Sequence, residues 1–453
     1  MKSFILFSIV FFNSWYAIGQ TNPAITAWIQ NTNNIMGRHY VKGNSTPIND
    51  NVLANVQSVK YSATSVYIST NGIPAYITGP FLDGNPSIAT AQNAIFKFTL
   101  SPIKNAGTPI NTTGGNIGIF INGVAMFDYR DGVSWQNSTK SLKGGPLGGM
   151  GDGMWNRDAV VGERLGFDCS KAHPAMGNYH HHQNPSAFKL DLNVISTVCN
   201  LYDSDGLYVI DSTKHSPLIG FAYDGFPVYG AYAYKNLDGT GGVVRMKSSF
   251  KLRKISQRNT SSTGGTVTPG PDVSATYPLG YFREDYEYIP TSATTPDFLD
   301  EHNGRFCITP EYPNGIYCYF ATVDEDWNSA YPYLIGPTFY GVRTPAKVTS
   351  ITETVTTYIP SPTGVSDQSK EEIDLQVFPN PTNEFLAVQL NGISTDNLRI
   401  ELLDMYGKIL KSEMIYQGST IAYFDTRTLY SGIYFVRLKK NKDSLIKKIE
   451  MIK

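Results

Sequence analysis

The sequence contains the stretch Gly177-Asn178-Tyr179-His180-His181-His182-Gln183-Asn184-Pro185. The chain has seven histidines in all. Four of them fall within residues 168–186, and these are His173, His180, His181 and His182. Imidazole is the commonest metal ligand among protein side chains. Such an uneven clustering of histidines therefore makes metal binding the first hypothesis for this part of the chain.

The histidine run is short, contains an aromatic residue, and is bounded by a glycine and a proline, a pattern that predicts an extended strand. Side chains two residues apart in a strand point to the same face. We therefore expect His180 and His182 to stand side by side, with Tyr179 and His181 on the opposite face. The alternatives are an exposed histidine run, or histidines that are only hydrogen-bonded within a sheet.

Two imidazoles on one face can share one ion at about 2.0–2.1 Å each if the metal is zinc. A third ligand must come from elsewhere, and His215 is the preferred candidate because it precedes a predicted hairpin; His173 is the second. Tyr179, Asp224 and His302 are further candidates for the site. Imidazole suits zinc, copper, nickel and iron, so the predicted cofactor is a divalent transition metal, zinc or copper.

The Tyr-His-His-His motif, preceded by Asp168-Cys169 and His173-Pro174, resembles the signature of the YHYH domain. Three further segments, at residues 216–230, 299–305 and 309–317, resemble the same family, and the resemblance covers about residues 60 to 340. His181 stands where the family pattern has its second Tyr, on the face opposite His180 and His182. The resemblance implies a domain more firmly than an activity.

The sequence also contains an internal repeat. Residues 118–127 and 220–229 each contain a predicted strand, an Asn-Gly or Asp-Gly pair, and a second strand. Both pairs are typical of two-residue type I′ hairpins, so Asp224 is interpreted as a turn residue in preference to a ligand or general base. The repeat predicts two related halves that face each other, with the histidine strand between the two hairpins.

The composition limits the class of protein. The 453 residues contain 41 Gly, 26 Pro and 29 Tyr, which together with few helix-period stretches predict a mainly β fold. Charged residues are 17 % of the chain and the formal net charge is −1. Partners such as nucleic acid or an anionic membrane select for excess Lys and Arg, so this balance argues against both.

The N-terminus predicts export. Residues 1–19 have a positive Lys2, an apolar run and small residues before Gln20, which is the pattern of a secretory signal peptide. No later segment has the length of a transmembrane helix. In an exported protein the four cysteines can form two disulfides, and the favoured pairs are Cys169–Cys199 and Cys307–Cys318. Free buried thiols, or Cys169 as a metal ligand, are the alternatives.

The predicted domain organisation has four parts. The signal peptide, residues 1–19, precedes a large β-rich domain at 20–349, a linker rich in Ser, Thr and Pro at 350–370, and a last unit at 371–453. Residues 377–383, 402–408 and 431–436 of that unit resemble the C-terminal sorting domain of the type IX secretion system. The resemblance implies a small Ig-like β-sandwich that acts as an export address and is usually cut off, leaving the protein secreted or attached to the outer cell surface.

Three functions remain open on the sequence alone. The first is an extracellular metal site, which in an enzyme would act on an extracellular substrate by hydrolysis with zinc or oxidation with copper. The second is a non-catalytic module that binds glycan or protein through Tyr and Trp, and the third is a protein whose histidines only pack. The sequence contains no recognised catalytic motif from which a reaction could be named.

A short helix is predicted at residues 155–159 with Asn156 as its N-cap.

Overall fold

The fold is described from a computed structural model that covers residues 21–41, 44–81, 88–186, 206–292, 294–344, 346–360, 375–390, 397–440 and 443–453. The predicted signal peptide, Cys199 and residues 361–370 of the predicted linker lie outside these ranges. Within the described residues the chain is mainly β, which confirms the predicted fold class.

The regular elements follow one another in chain order. The first sixteen strands are β1 Met36–Val41, β2 Asn44–Leu53, β3 Val56–Tyr61, β4 Ser65–Thr70, β5 Ile77–Thr78, β6 Ala94–Thr99, β7 Ile110–Asn111, β8 Asn116–Phe120, β9 Ala125–Phe127, β10 Arg130–Gln136, β11 Ser141–Gly144, β12 Asn156–Asp158, β13 His173–Ala175, β14 Asn178–His181, β15 Leu218–Ala222 and β16 Pro227–Tyr229. The next sixteen are β17 Tyr232–Tyr234, β18 Val243–Arg245, β19 Phe250–Leu252, β20 Tyr286–Tyr288, β21 Gly304–Cys307, β22 Ile316–Phe320, β23 Thr338–Phe339, β24 Lys347–Val348, β25 Thr356–Tyr358, β26 Leu375–Phe378, β27 Phe385–Leu390, β28 Leu398–Leu403, β29 Ile409–Ile415, β30 Ile421–Asp425, β31 Gly432–Lys440 and β32 Asp443–Met451. The helices are α1 Pro23–Thr26, α2 Ala159–Glu163 and three 3₁₀ segments, Gly145–Leu147, Arg164–Gly166 and Arg283–Asp285.

The central sheet has eight strands in the order β13-β14-β9-β8-β15-β16-β22-β21. Its middle strands, β8 and β15, are antiparallel. On one side β14 runs parallel to β9 and on the other β22 runs parallel to β16, and each outer pair is antiparallel. The sheet is therefore two four-stranded halves related by an approximate two-fold axis between β8 and β15, and the predicted internal repeat is confirmed.

Two details of the predicted repeat are wrong. The histidine strand β14 flanks the first hairpin instead of lying between the two hairpins, because β8 and β15 pair directly with each other. The turns also differ from type I′. Of the paired turn residues, only Gly123 and Gly225 have positive φ, at 83° and 88°, and both hairpins have matching register shifts. This is the geometry of a type I turn followed by a glycine bulge.

A buried Tyr–Asp pair occurs at the same place in each half of the sheet. The Tyr179 hydroxyl donates to Asp168 Oδ2 at 2.8 Å, and the Tyr317 hydroxyl donates to Asp300 Oδ1 at 2.8 Å. In both loops, Oδ1 of the aspartate accepts hydrogen bonds from the backbone N–H groups two and four residues after it. The segments 168–181 and 300–319 are therefore equivalent, and they give His181 and Tyr319 matching positions.

A five-stranded sheet, β24-β6-β4-β3-β25, packs against the central sheet. Burial alternates along β6 as expected for a strand with one face in the core. Trp28, next to α1, lies between Phe98 of β6 and Phe221 of β15, with ring centroids 5.8 and 5.3 Å apart. Strand β25 belongs to this sheet although it falls within the predicted linker, so residues 356–358 are part of the large domain's fold.

The C-terminal unit is a small sandwich. A three-stranded sheet, β26-β27-β30, faces a four-stranded sheet, β29-β28-β31-β32. The core between them contains Leu386, Val388, Ile400, Phe424 and Val436, all fully buried. This arrangement confirms the predicted Ig-like β-sandwich.

The cysteines correct one prediction. Cys307 and Cys318 are free, buried thiols, so the predicted bridge between them is wrong. In the β21–β22 pairing Cys307 lies opposite Ile316, and Cys318 lies opposite Arg305. The two cysteines are thus diagonal neighbours at about 7–8 Å, beyond the usual Cα separation of about 4.4–6.8 Å in a disulfide. The Cys169–Cys199 pair stays a prediction because Cys199 lies outside the described residues.

Candidate metal centre

Three histidines converge because β13 and β14 form a tight hairpin. Its two turn residues, Met176 and Gly177, both have positive φ, at 48° and 82°, which is the backbone of a type I′ turn. This turn places His173 directly opposite His180 in the antiparallel pair. The ring centroids of His173 and His180 are 4.7 Å apart, and those of His180 and His182 are 4.8 Å apart. The predicted side-by-side arrangement of His180 and His182 is therefore present.

Glu163 completes the cluster, and the sequence did not single it out. Its Oε2 lies 3.2 Å from His173 Nε2 and 3.1 Å from His182 Nε2. The ligand atoms of Glu163, His173, His180 and His182 all lie within 4.8 Å of one another. The three imidazoles are buried, whereas the Glu163 side chain is 21 % exposed. Glu163 is therefore the member of the cluster that faces the solvent.

Backbone carbonyls fix the orientation of two imidazoles. His180 Nδ1 donates to Asn178 O at 2.8 Å, and His182 Nδ1 donates to Asp128 O. A carbonyl oxygen can only accept, so in each ring Nδ1 carries the hydrogen and Nε2 of the neutral ring presents a lone pair. These two Nε2 atoms are only 3.1 Å apart. Two lone pairs at this distance repel each other unless a cation or a proton lies between them.

The electrostatics of the cluster favour a neutral His180 ring and an ionised Glu163 carboxylate. Burial lowers the pKa of His180 well below its ordinary value, and the nearby His182 and His173 lower it further. Burial by itself would raise the pKa of Glu163, but hydrogen bonds and charge from His173 and His182 outweigh burial and hold this pKa well below its usual value. These are the protonation states that metal ligation requires.

The shortest distances between the ligand atoms are close to those of a metal site. Two nitrogens that bind one tetrahedral zinc ion at about 2.0–2.1 Å lie about 3.3 Å apart. The shortest separations between ligand atoms in the cluster are 3.1–3.2 Å. The four residues can therefore hold one ion without a large movement of their backbone.

Two phenyl rings form the walls around the histidines. Phe127 stacks on His180 with ring centroids 3.6 Å apart and also meets His182 edge-on at 5.7 Å. Phe167 meets His173 edge-on at 5.0 Å. These contacts restrict rotation of the imidazoles and exclude water from the sides of the cluster, so the open side is the one at Glu163.

Glu163 is held by the helix that it ends. Helix α2 begins at Ala159, and its N-cap is Asp158, which accepts from the N–H groups of Val160 and Val161 at 2.9 and 3.2 Å. The Tyr333 hydroxyl donates to the other oxygen of Asp158 at 2.8 Å. The predicted cap, Asn156, is wrong by two residues because it belongs to β12. Asp158 thus fixes the helix that presents Glu163.

A buried ion pair packs against helix α2. Arg157 and Asp131 form a side-chain ion pair, and Gly162 packs directly on it. A Cβ at Gly162 would lie 2.5 Å from Arg157 Nε and 2.7 Å from Asp131 Oδ2. The close approach of the helix to this pair therefore requires glycine immediately before Glu163. The Gly162-Glu163 dipeptide after an acidic cap was the only sequence signal that could have indicated this ligand.

The structure does not bring His215 or His302 to the cluster. His215 Nδ1 donates to Ser216 O at 2.7 Å, and its ring contacts Tyr229 and Tyr234 on the far half of the sheet. His302 Nδ1 is hydrogen-bonded to Thr338. The structure therefore places His173, and not His215, beside His180 and His182, because strand pairing, and not proximity to a hairpin, brings the third histidine to the cluster.

The remaining candidates are structural neighbours of the site. Tyr179 lies on the opposite face of β14, bound to Asp168, and His181 Nε2 hydrogen-bonds to the Tyr76 hydroxyl at 2.7 Å. Burial lowers the pKa of His181 to about 3, with a contribution from the charge of Lys171. Asp224 accepts from Tyr319 at 2.6 Å and from the Gly341 N–H at 2.8 Å. Asp224 is thus a bonded turn residue, as interpreted from the sequence.

The other half of the sheet places a cation at the equivalent position. In the matching register Arg305 corresponds to His173 and Cys318 corresponds to His180. The Arg305 guanidinium is buried over the Phe320 ring, 5.8 Å from its centroid, and donates to the carbonyl oxygens of Lys235, Pro296 and Tyr234. The second half of the repeat thus has a buried arginine at the position that His173 occupies in the first half.

Comparison with known proteins gives two matches. A family model described as YHYH protein matches residues 95–332, and one described as the secretion system C-terminal sorting domain matches residues 376–452. No curated protein matches the chain. The sorting domain indicates interaction with the type IX secretion machinery, and it indicates secretion with attachment to the outer surface. No helix among the described residues is long and apolar enough to cross a membrane.

Proposed function

The chain belongs to the YHYH protein family, and from this premise we propose that it is an extracellular metalloprotein that holds one divalent transition-metal ion with Glu163, His173, His180 and His182. Secretion brings the site to the outer surface, where the ion and its ligands meet extracellular molecules.

The observation that carries the proposal is the convergence of four ligand atoms within 4.8 Å. The orientation of the rings supports it, because the backbone carbonyls of Asn178 and Asp128 turn two Nε2 lone pairs toward each other. Such hydrogen bonds from the non-ligating nitrogen are typical of metal-binding histidines.

The ligand set selects the kind of metal. Three imidazole nitrogens and one carboxylate suit zinc or copper, whereas calcium and magnesium prefer oxygen ligands. A bound ion of this kind supplies Lewis acidity and an activated water. On this basis the protein is a candidate metal-dependent enzyme for an extracellular substrate. Because Phe127 and Phe167 close the sides of the cluster, a substrate would approach past Glu163.

A non-catalytic role is the second candidate. Four protein ligands saturate a tetrahedral zinc ion, which is the arrangement of structural zinc sites. In that case the ion would join β13, β14 and α2, and the domain would serve to bind an extracellular glycan or protein. The behaviour of Glu163 distinguishes the two roles. A catalytic ion needs one coordination position free for water or substrate, and Glu163 would have to leave that position open.

Elemental analysis of the purified protein without a His tag tests the proposal. We expect about one equivalent of zinc or copper per chain, because buried three-histidine sites retain their ion through purification. The tag must be absent because it binds the same metals. A content of all transition metals below about 0.1 equivalent, in protein purified without chelator, would contradict the proposal.

A further inference from the structure

The outer face of the sorting domain's three-stranded sheet is unusually apolar. A sandwich that is solvated on its outer side shows alternating apolar and polar residues. Strand β27 instead has apolar residues on both faces, and so does β30. The outward-facing residues Phe385, Ala387, Ile421 and Tyr423 are nonetheless buried, with at most 4 % of each exposed. Something outside the sandwich therefore covers this face.

The cover is the large domain. Val209 and Trp327 pack against the outward residues of β27 and β30, together with Phe378 at the end of β26. The Trp327 indole is held in place within the large domain, since its Nε1 donates to the Tyr232 hydroxyl at 2.9 Å. A large aromatic anchored in one domain and seated on an apolar face of another is the usual composition of an interaction hot spot.

A second contact lies at the turn that precedes β30. Gly418 packs so closely on the large domain that a Cβ there would lie 2.5 Å from Ile35 and 3.4 Å from Ala75. The Arg38 guanidinium lies over the Tyr416 ring, 5.2 Å from its centroid. Gly418 has φ of +88°, so the turn has both the conformation and the space that favour glycine. The sorting domain thus contacts the large domain both at this turn and at the outer face of β27 and β30.

The contact is less completely packed than either domain core. Lys214 Nζ donates to Gln376 Oε1 at 3.0 Å along its exposed edge. A cavity of about 300 Å³ remains between the segment Val209–Thr213 with Trp327 and the segment Val377–Pro381. Interfaces between domains that can separate are smaller and looser than a hydrophobic core. The contact is thus suited to a partner that docks and can be released.

We propose that the sorting domain docks specifically on the YHYH domain through this face and remains bound after the linker between them is cut. The partner is the chain's own sorting domain, and the docking surface comprises Val209, Trp327, Ile35, Ala75 and Arg38. The released cargo therefore keeps its sorting domain until a competing partner removes it. This inference is independent of the metal, because no metal ligand contributes to the contact.

Cutting the full chain within the linker tests the inference. A specific protease site is placed among residues 361–374, and the cut protein is analysed by size-exclusion chromatography. We expect the large fragment and the sorting-domain fragment to elute together. Tyr423→Glu and Val209→Glu each place a charge in the apolar contact, so we expect each to weaken binding between the two fragments by about tenfold or more and give two peaks. Two variants, one in each domain, keep the test valid if one of them fails to fold.

Tyr430→Glu is the matched control. Tyr430 is in the same domain as Tyr423 but is 84 % exposed, so a charge there should leave the two fragments together. Separation of the two wild-type fragments after the cut, each still showing its own cooperative thermal transition, would overturn the inference. So would co-elution of both contact variants. Adding chelator should not change the elution of the two fragments. A failure of the docking inference can therefore be distinguished from a failure of the proposed metal site.

Discussion

Replacing both His180 and His182 with alanine should reduce bound metal from about one equivalent to less than about 0.1 equivalent. Two of the four converging ligand atoms are then absent, and the remaining pair, Glu163 and His173, is too few to hold an ion through purification. Elemental analysis of the untagged double variant measures this directly. Export should persist, since the sorting address lies in a separate β-sandwich.

His181→Ala is the control for that experiment. His181 is as buried as its neighbours and lies on the same strand, but its ring points to the opposite face and binds Tyr76. We expect this variant to lose stability through the cavity it creates while it keeps its metal. Equal metal content in the wild type and the double variant would refute the assignment of the ligands, whatever the metal proves to be.

Removing the ion from the wild-type protein should lower the thermal midpoint of the YHYH domain by roughly 10 °C. An ion present at about a thousand times its dissociation constant stabilises by about 4 kcal/mol, and each kcal/mol moves the midpoint of a large domain by roughly 2–4 °C. The loss has a local cause. Without the ion, the Nε2 atoms of His180 and His182 face each other at 3.1 Å, and the contact of Glu163 in α2 with His173 in β13 is no longer reinforced by a shared ion.

Calorimetry with and without chelator measures this shift, and the sorting domain provides an internal control. Its core, which includes Leu386, Ile400 and Phe424, contains none of the proposed ligands. The thermal midpoint of the sorting domain should therefore not change. Readdition of zinc or copper should restore the original midpoint of the YHYH domain. An unchanged midpoint in protein verified as metal-free would show that the four side chains are stable without an ion.

The sequence was sufficient to predict those features of the fold and site that depend on local periodicity. The two-residue period of a strand predicted that His180 and His182 share a face, and the hairpin repeat predicted two related halves. Composition predicted the mainly β fold, and the resemblance of the last unit to the sorting domain implied the terminal sandwich. These features follow from residues close together in the chain.

The sequence was insufficient where the site depends on pairing between strands. His173 joins the cluster because a type I′ turn at Met176-Gly177 folds β13 back onto β14, and Met is not a typical residue for that turn. Glu163 comes from a five-residue helix whose position depends on Asp158, Tyr333 and a buried Arg157–Asp131 pair. None of these long-range contacts has a sequence spacing that identifies it.

The central claim is that three imidazoles and one carboxylate hold a metal ion, and X-ray absorption at the metal edge tests it most directly. For untagged protein with zinc we predict a coordination shell of three imidazole nitrogens at about 2.0–2.1 Å and a carboxylate oxygen at about 2.0–2.2 Å. The multiple-scattering signal of imidazole should weaken by about one-third in His173→Ala. A shell of oxygen ligands alone, without imidazole scattering, would contradict the account.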